Sequence, residues 1–323
     1  MTTTHHSHRS FRTGIGGFTL VEVLVVITII AILAGLITVA ASSAFKSARE
    51  FAIQQEMSQM EAAIERFNTD FGFYPPSFKE FAALSDDDAV DRMLMFLSRI
   101  APQNQESARV DRSSPLTRIE LWWMQVGRPI ANNPGSDLVF WLSGLSKNKQ
   151  FPLSNPSTGQ PLAAHNFNVN DNQFERQDYF EFEQSRAAVN GLVATYSQSD
   201  RMVIPFLYLD ANSYLPSDPT STDPANPLAI DGAYVFAGTS AQDVQDAAND
   251  RSVFRSIYPN PDSFQLISFG LDGIPFGAVD GTEDAPIPNA ISMSSVGARG
   301  ADNFVNFGGE GITKLEVVVL SSQ

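Results

Sequence analysis

Apolar and polar positions divide this chain into two regimes with a sharp change between them. From Val23 to Phe45 there is no charged residue, a run of Val, Leu, Ile and Ala broken only by Thr28, Gly35, Thr38, Ser42 and Ser43. A run of roughly 20 apolar residues is long enough to cross a bilayer as a helix. Beyond Phe45 the pattern becomes amphipathic. Ile53, Met57, Met60, Ile64, Phe67 and Phe71 recur at spacings of three and four, one face of a helix. Gln54, Gln55, Glu56, Gln59, Glu61, Glu65 and Arg66 fill the other face. The spacing predicts one continuous helix from Phe18 to about Asn68, on the order of 75 Å long at about 1.5 Å per residue. Gly72 and Pro75-Pro76 stop it, glycine as a C-cap and proline because it cannot continue a helix.

Later elements are shorter. Asp91 to Ile100 reads as a helix, and Leu138 to Leu145 is a compact apolar element of either kind. Phe151 to Pro161, punctuated by Pro and Gly, reads as a loop. Tyr179-Phe-Glu-Phe-Glu183 alternates aromatic and acid and reads as a half-buried strand. Met202 to Asp210 is a strand candidate with Pro205 at an edge or bulge. Ser263 to Gly270 reads as a strand of alternating character, Leu271-Asp272-Gly273 as a turn, and Thr313 to Leu320 as a last strand.

At the lip of the apolar run stands Glu22, and an unpaired carboxylate there calls for a partner. The order of parts is the reverse of a secretory signal, whose small-residue cleavage site follows the apolar core. Here Gly16-Gly17 precede the core, behind a leader carrying Arg9 and Arg12. This arrangement, Gly17 followed by Phe18-Thr19-Leu20-Val21-Glu22 and an uncharged helix, resembles the type III signal of the type IV pilin superfamily. The resemblance implies cleavage by a prepilin peptidase after Gly17 and N-methylation of Phe18. It also implies pairing of Glu22 with the Phe18 amine of an adjacent subunit, neutralising two charges that are costly in lipid.

The Phe73-Tyr74-Pro75 step is similar to the one that follows the first helix in the major pseudopilins of type II secretion. The tail is similar too. A strand, the Asp272-Gly273 turn and the later Asp302-Asn303 step resemble the calcium loop of those proteins. That resemblance implies Asp272, Asp302 and Asn303 as ligands, oxygen donors of the kind Ca²⁺ takes. Asp-Gly is also a common turn and Asp a common cap, so these residues have an ordinary reading as well. A typical major pseudopilin head is much smaller, and the extra chain reads as an insertion over about 85–261.

Composition narrows the rest. The chain has 323 residues and a net charge of −15; without Arg9 and Arg12 the 21 basic residues become 19 against 36 acids, or −17. An acidic chain without basic clusters argues against a nucleic-acid partner, and none is expected. With no cysteine there is neither a disulfide nor a thiolate site. Past residue 17 the only histidine is His165, which excludes a multi-histidine zinc site and leaves a single base for any catalytic triad. Glu181 and Glu183 share one side of the expected strand, but paired acids in an acidic chain are ordinarily a solvated face, and no enzyme is expected. Trp122, Trp123 and Trp141 are core if buried; if exposed they would form a stacking platform for a ligand.

The expected architecture is α+β and pilin-like: a long N-terminal helix on an antiparallel sheet, with a large insertion. The expected segments are a leader, 1–17; a transmembrane and assembly half of the helix, 18–45; an amphipathic half, 46–74; and a periplasmic head, 75–323. The resemblance implies a structural subunit of a type II secretion pseudopilus in the bacterial inner membrane. Its partners would be further copies of itself, other pseudopilins, the prepilin peptidase and the assembly platform. The alternative is a minor type IV pilin with an adhesive or ligand-binding head.

Overall fold

The computed structural model describes residues 19–82, 84–133, 135–167, 175–199, 205–214, 234–235, 241–270, 291–292, 304–306 and 313–314. The chain divides into two compact units, Met1–Arg49 and Glu50–Gln323.

In the first unit the dominant element is the start of helix α1, which spans Leu20–Phe71. Thr19 caps it: its hydroxyl accepts the Glu22 N–H at 3.2 Å and its carbonyl accepts the Val23 N–H at 3.2 Å. Thr-x-x-Glu is the sequence of a capping box, and an acid in the first turn also suits the positive end of the helix dipole. The apolar side chains that follow, among them Leu24, Ile27, Ile30 and Leu33, are exposed. By length and composition α1 is apolar enough to cross a membrane. Its polar positions cost little there, because Thr28 and Thr38 donate back to the carbonyls of Leu24 and Ala34 at 2.7 and 2.8 Å.

The second unit is built around the amphipathic end of α1. Ile53, Met57, Met60, Ile64 and Phe67 are all buried, as their spacing predicts. Gly72 ends the helix in the left-handed conformation (φ +77°) and donates to the Asn68 carbonyl at 2.7 Å. Next come α2 (Lys79–Ala82) and α3 (Asp86–Ile100). Helix α3 starts five residues before the expected Asp91, because Ser85 caps it and Asp86, Asp87 and Asp88 sit on its positive end.

Helix α4 (Arg118–Trp122) carries a full Thr117/Glu120 capping box and passes through a π-turn, Trp123–Gly127, into α5 (Arg128–Ala131). A side chain at Gly127 would collide with the Trp123 ring, so the π-turn requires glycine there. Helix α6 (Ser136–Val139) runs into a second π-turn, Phe140–Gly144, so the undecided Leu138–Leu145 element is helical.

Strands β1 (Ala187–Asn190) and β2 (Val193–Tyr196) form an antiparallel hairpin. Beyond it lie β3 (Leu207–Asp210), β4 (Tyr234–Val235), α7 (Ala241–Ala247), α8 (Arg251–Ile257), β5 (Phe264–Ser268), β6 (Ile291–Ser292), β7 (Phe304–Val305) and β8 (Thr313–Lys314). The sheet against which α1 packs is antiparallel, in the order β3-β5-β7-β8, while β4 and β6 form a short parallel pair. Pro205 lies outside β3 and makes an isolated bridge to Ser197, since proline cannot serve a ladder.

Two core clusters line α1. Ile53 to Ile64 pack with Leu138, Leu142, Tyr196, Phe206, Tyr208 and Leu266. Phe67 belongs to a cluster with Phe78, Phe81, Leu97, Trp122 and Trp141. It meets Phe71, Phe73, Trp141 and Tyr179 edge-on at 4.7 to 5.8 Å, the favoured aromatic geometry. The architecture is α+β: a long helix packed on a small antiparallel sheet, consistent with a pilin-like fold.

Two expectations are corrected. Tyr179–Glu183 is not a strand of any sheet, although its burial alternates as expected, with Phe180 and Phe182 inside and Glu181 and Glu183 outside. Strand β5 does not alternate; all five of its residues are buried. Its polar members are accommodated by hydrogen bonds, as when Gln265 Nε2 donates to the Pro259 carbonyl at 3.2 Å.

Candidate functional site

Glu22 lies in the first turn of α1, exposed, with its amide tied to Thr19. Gly17 and Phe18 lie outside the described residues, as do Asp272, Asp302 and Asn303. Among the described residues no group of three or more His, Asp or Glu could hold a metal. The other candidates fall on the interior or on solvent. Trp122, Trp123 and Trp141 are buried, at 1%, 3% and 0% exposure, which removes the stacking platform. Trp141 donates its indole N–H to the Pro76 carbonyl at 2.7 Å and Trp123 donates to Asp86 at 2.9 Å. His165 is buried and stacks on Phe167, its Nδ1 accepting the Phe167 N–H at 3.3 Å. Glu181 and Glu183 are exposed, the solvated face expected of them.

Residues 12–38 match the family model of the prokaryotic N-terminal methylation motif. The chain carries a type IV pilin-like prepilin signal. The matched stretch takes in the Gly16-Gly17 step, Thr19, Glu22 and the exposed apolar turns of α1. It supports a pilin-like or pseudopilin structural subunit, processed by prepilin peptidase and assembled with pilin-like partners. Together with the apolar helix it is consistent with a single-pass membrane anchor. No curated protein and no solved structure matches the chain.

If α1 is the working element, what holds the head to it matters as much as its apolar half. Two polar devices do so, and neither was visible in the sequence. The first grips the chain just past the end of α1. Pro75 and Pro76 carbonyls accept from Tyr208 Oη (2.6 Å) and Trp141 Nε1 (2.7 Å). Ser77 then donates its N–H to Asp210 Oδ1 at 3.2 Å and its hydroxyl to Asp137 Oδ2 at 3.0 Å. Asp210 also accepts from Ser213 Oγ at 2.5 Å and Asn212 Nδ2 at 2.9 Å, so its ionised form is well served by donors. Asp137 has the Leu138 N–H at 2.9 Å as a further donor.

Burial is the first cause of the shifts in this group. It pushes Asp137 up to about 6 against the pull of Ser77 and the Leu138 amide. It pushes Glu80 up to about 7, with the Asp210 charge adding to the rise and Arg92, 2.7 Å away, opposing it. Asp210 is raised by burial and lowered by its donors.

The second device joins α1 to the β1–β2 hairpin. Arg186 forks onto Glu56 with bonds of 2.8 and 2.5 Å, and both side chains are 16% exposed. Tyr196 donates its hydroxyl to Glu56 at 2.7 Å, and the guanidinium lies 4.6 Å from the Tyr196 ring centre. No sequence signal marks Glu56, one acid among many on the polar face of α1. The separations to Arg186 and Tyr196 are 130 and 140 residues.

Proposed function

We propose that this chain is a structural subunit of a type II secretion pseudopilus. A prepilin peptidase cuts after Gly17, Phe18 becomes a methylated N-terminus, and the mature chain stands in the inner membrane with its head in the periplasm. Glu22 pairs with the Phe18 amine of a neighbouring copy, and the apolar turns of α1 pack together in a filament that drives protein export. The observation that carries the pilin-like part of this reading is the match to the N-terminal methylation motif over residues 12–38, laid on a helix whose apolar half is exposed and whose amphipathic half is packed. The type II secretion part rests on the sequence resemblance at Phe73-Tyr74-Pro75 and in the tail. A helix that is greasy all round on one stretch and one-sided on the next has two different surroundings to satisfy.

Thr19 has a supporting part. By taking the Glu22 amide it satisfies one of the orphan donors at the start of α1, leaving the Glu22 carboxylate for the neighbour. The Phe73-Tyr74-Pro75 step and the tail resemblance support a reading close to the major pseudopilins, in which Asp272, Asp302 and Asn303 would hold Ca²⁺, while the size of the head favours a minor or specialised subunit.

The experiment is a comparison of the secreted proteins of the native host with and without this chain. Loss of several folded secreted proteins with surface pili intact is the expected result. Intact secretion with altered pili, adhesion or motility would overturn the pseudopilus reading in favour of a type IV pilus subunit.

A further inference from the structure

The aromatic–acid stretch Tyr179–Glu183 reads as a strand, yet among the described residues it joins no sheet. Its approach is held by main-chain bonds to the segment that follows α6. Glu175 accepts from the Lys147 N–H, and Gln177 and Tyr179 donate to the Leu145 and Leu142 carbonyls, all at 2.7 to 2.8 Å. From Phe180 the chain continues extended, and among the described residues no main-chain group pairs with Phe180, Glu181 or Phe182. Pairing resumes at Glu183, whose carbonyl accepts the Arg186 N–H at 3.1 Å. Phe180 and Phe182 are locked into the core with each other and with Tyr196, their centroids 4.7 to 6.3 Å apart. The segment is therefore held in an extended form without a ladder.

Alongside it runs an open cleft of about 460 Å³ lined by Gln59 of α1 and residues 179–183. The charge beside this cleft is acidic. Glu181 and Glu183 are exposed, Asp178 precedes them, and Asp70 is held nearby by the Tyr179 hydroxyl at 2.8 Å. Arg186, the cation that follows in the chain, is already paired with Glu56, Arg66 lies over the Tyr179 ring, and Lys147 and Arg176 act on Asp178, which leaves Glu181 and Glu183 as the outward charges of the segment itself. An extended segment with unpaired main-chain groups is a template for an added strand. Outward carboxylates two residues apart select a strand with cations at the same period.

We propose that residues 180–183 form a strand-addition site for an extended basic segment of another protein, one carrying Lys or Arg at alternate positions. Main-chain hydrogen bonds to Phe180–Phe182 supply the pairing, and Glu181 and Glu183 set the register.

The test uses the full detergent-solubilised chain and the synthetic peptide Lys-Val-Lys-Val-Lys-Val, with binding followed by titration calorimetry. Two further peptides carry N-methyl groups, one on the valine amides and one on the lysine amides. Successive amides of a strand point to opposite edges, so only one of the two sets lies in the ladder. The expected result is binding that weakens about tenfold or more in Glu181→Lys/Glu183→Lys and by a similar factor for one N-methylated peptide alone. Both acids are exposed, so the double variant keeps the core intact. No binding of the parent peptide overturns the proposal. So does binding that the charge reversal leaves unchanged, since the carboxylates would then play no part, or that both N-methylated peptides retain, since charge alone would then be at work, or that both lose, since no single edge would then be paired.

Discussion

The Ser77 hydroxyl donates to Asp137 Oδ2 at 3.0 Å, joining the turn after α1 to the start of α6 across sixty residues of chain. Ser77→Ala leaves a buried carboxylate oxygen without that donor. The expected loss is about 1–3 kcal/mol of head stability, read as a lower melting temperature of the full chain in detergent. An unchanged melting temperature would mean that the contact contributes nothing.

The same region sets a pH dependence. Asp137 (about 6) and Glu80 (about 7) both titrate above the ordinary carboxylate range when the head is folded. The folded state then binds more protons than the unfolded state at mildly acid pH, so stability falls as pH rises through these values. Melting temperature should increase from pH 8 to pH 5, by about 2–4 °C for each kcal/mol gained. Glu80→Gln should flatten the upper part of that rise. A curve that falls over this range, or is flat, contradicts the account.

Breaking the α1–hairpin lock should be costly. Arg186→Ala leaves the Glu56 carboxylate mostly buried without its cation, and removing one partner of such a pair costs about 3 kcal/mol or more. Replacing both, as Glu56→Met with Arg186→Leu, should recover part of the loss in chemical denaturation.

Calcium offers a separate check on the tail. If Asp272, Asp302 and Asn303 hold the ion, chelation lowers the melting temperature of the full chain and Asp272→Ala abolishes that response. No response to chelation in the unmutated chain ends the calcium proposal.

What could be read from the sequence was what local spacing controls. The stripe from Ile53 to Phe67 is buried as drawn, because a helix converts spacing directly into a face. Gly72 ends α1 for an equally local reason. The alternation at Tyr179–Glu183 correctly gave inside and outside, yet not a strand, because a ladder also needs a partner that alternation does not specify. Strand β5 misled in the opposite sense: Gln265 and Ser268, polar residues on opposite faces of the strand, are both buried and hydrogen-bonded. The grip on Ser77 and the Glu56–Arg186 lock join residues 60 to 133 positions apart, with nothing local to mark them.

Processing is also open to substitution. Gly17→Ala places a side chain where the peptidase must close on bare backbone, and unprocessed precursor should accumulate in the membrane. Glu22→Ala should spare insertion and impair filament assembly, seen by comparing membrane content with sheared filaments. Normal filaments without Glu22 would remove the pairing with Phe18.

The most direct measurement is the N-terminus of the protein isolated from its native membrane, by intact mass and terminal sequencing. A chain beginning at N-methylated Phe18 with α1 intact is the predicted result. A chain that still begins at Met1, or one cut beyond the apolar run, would contradict the account.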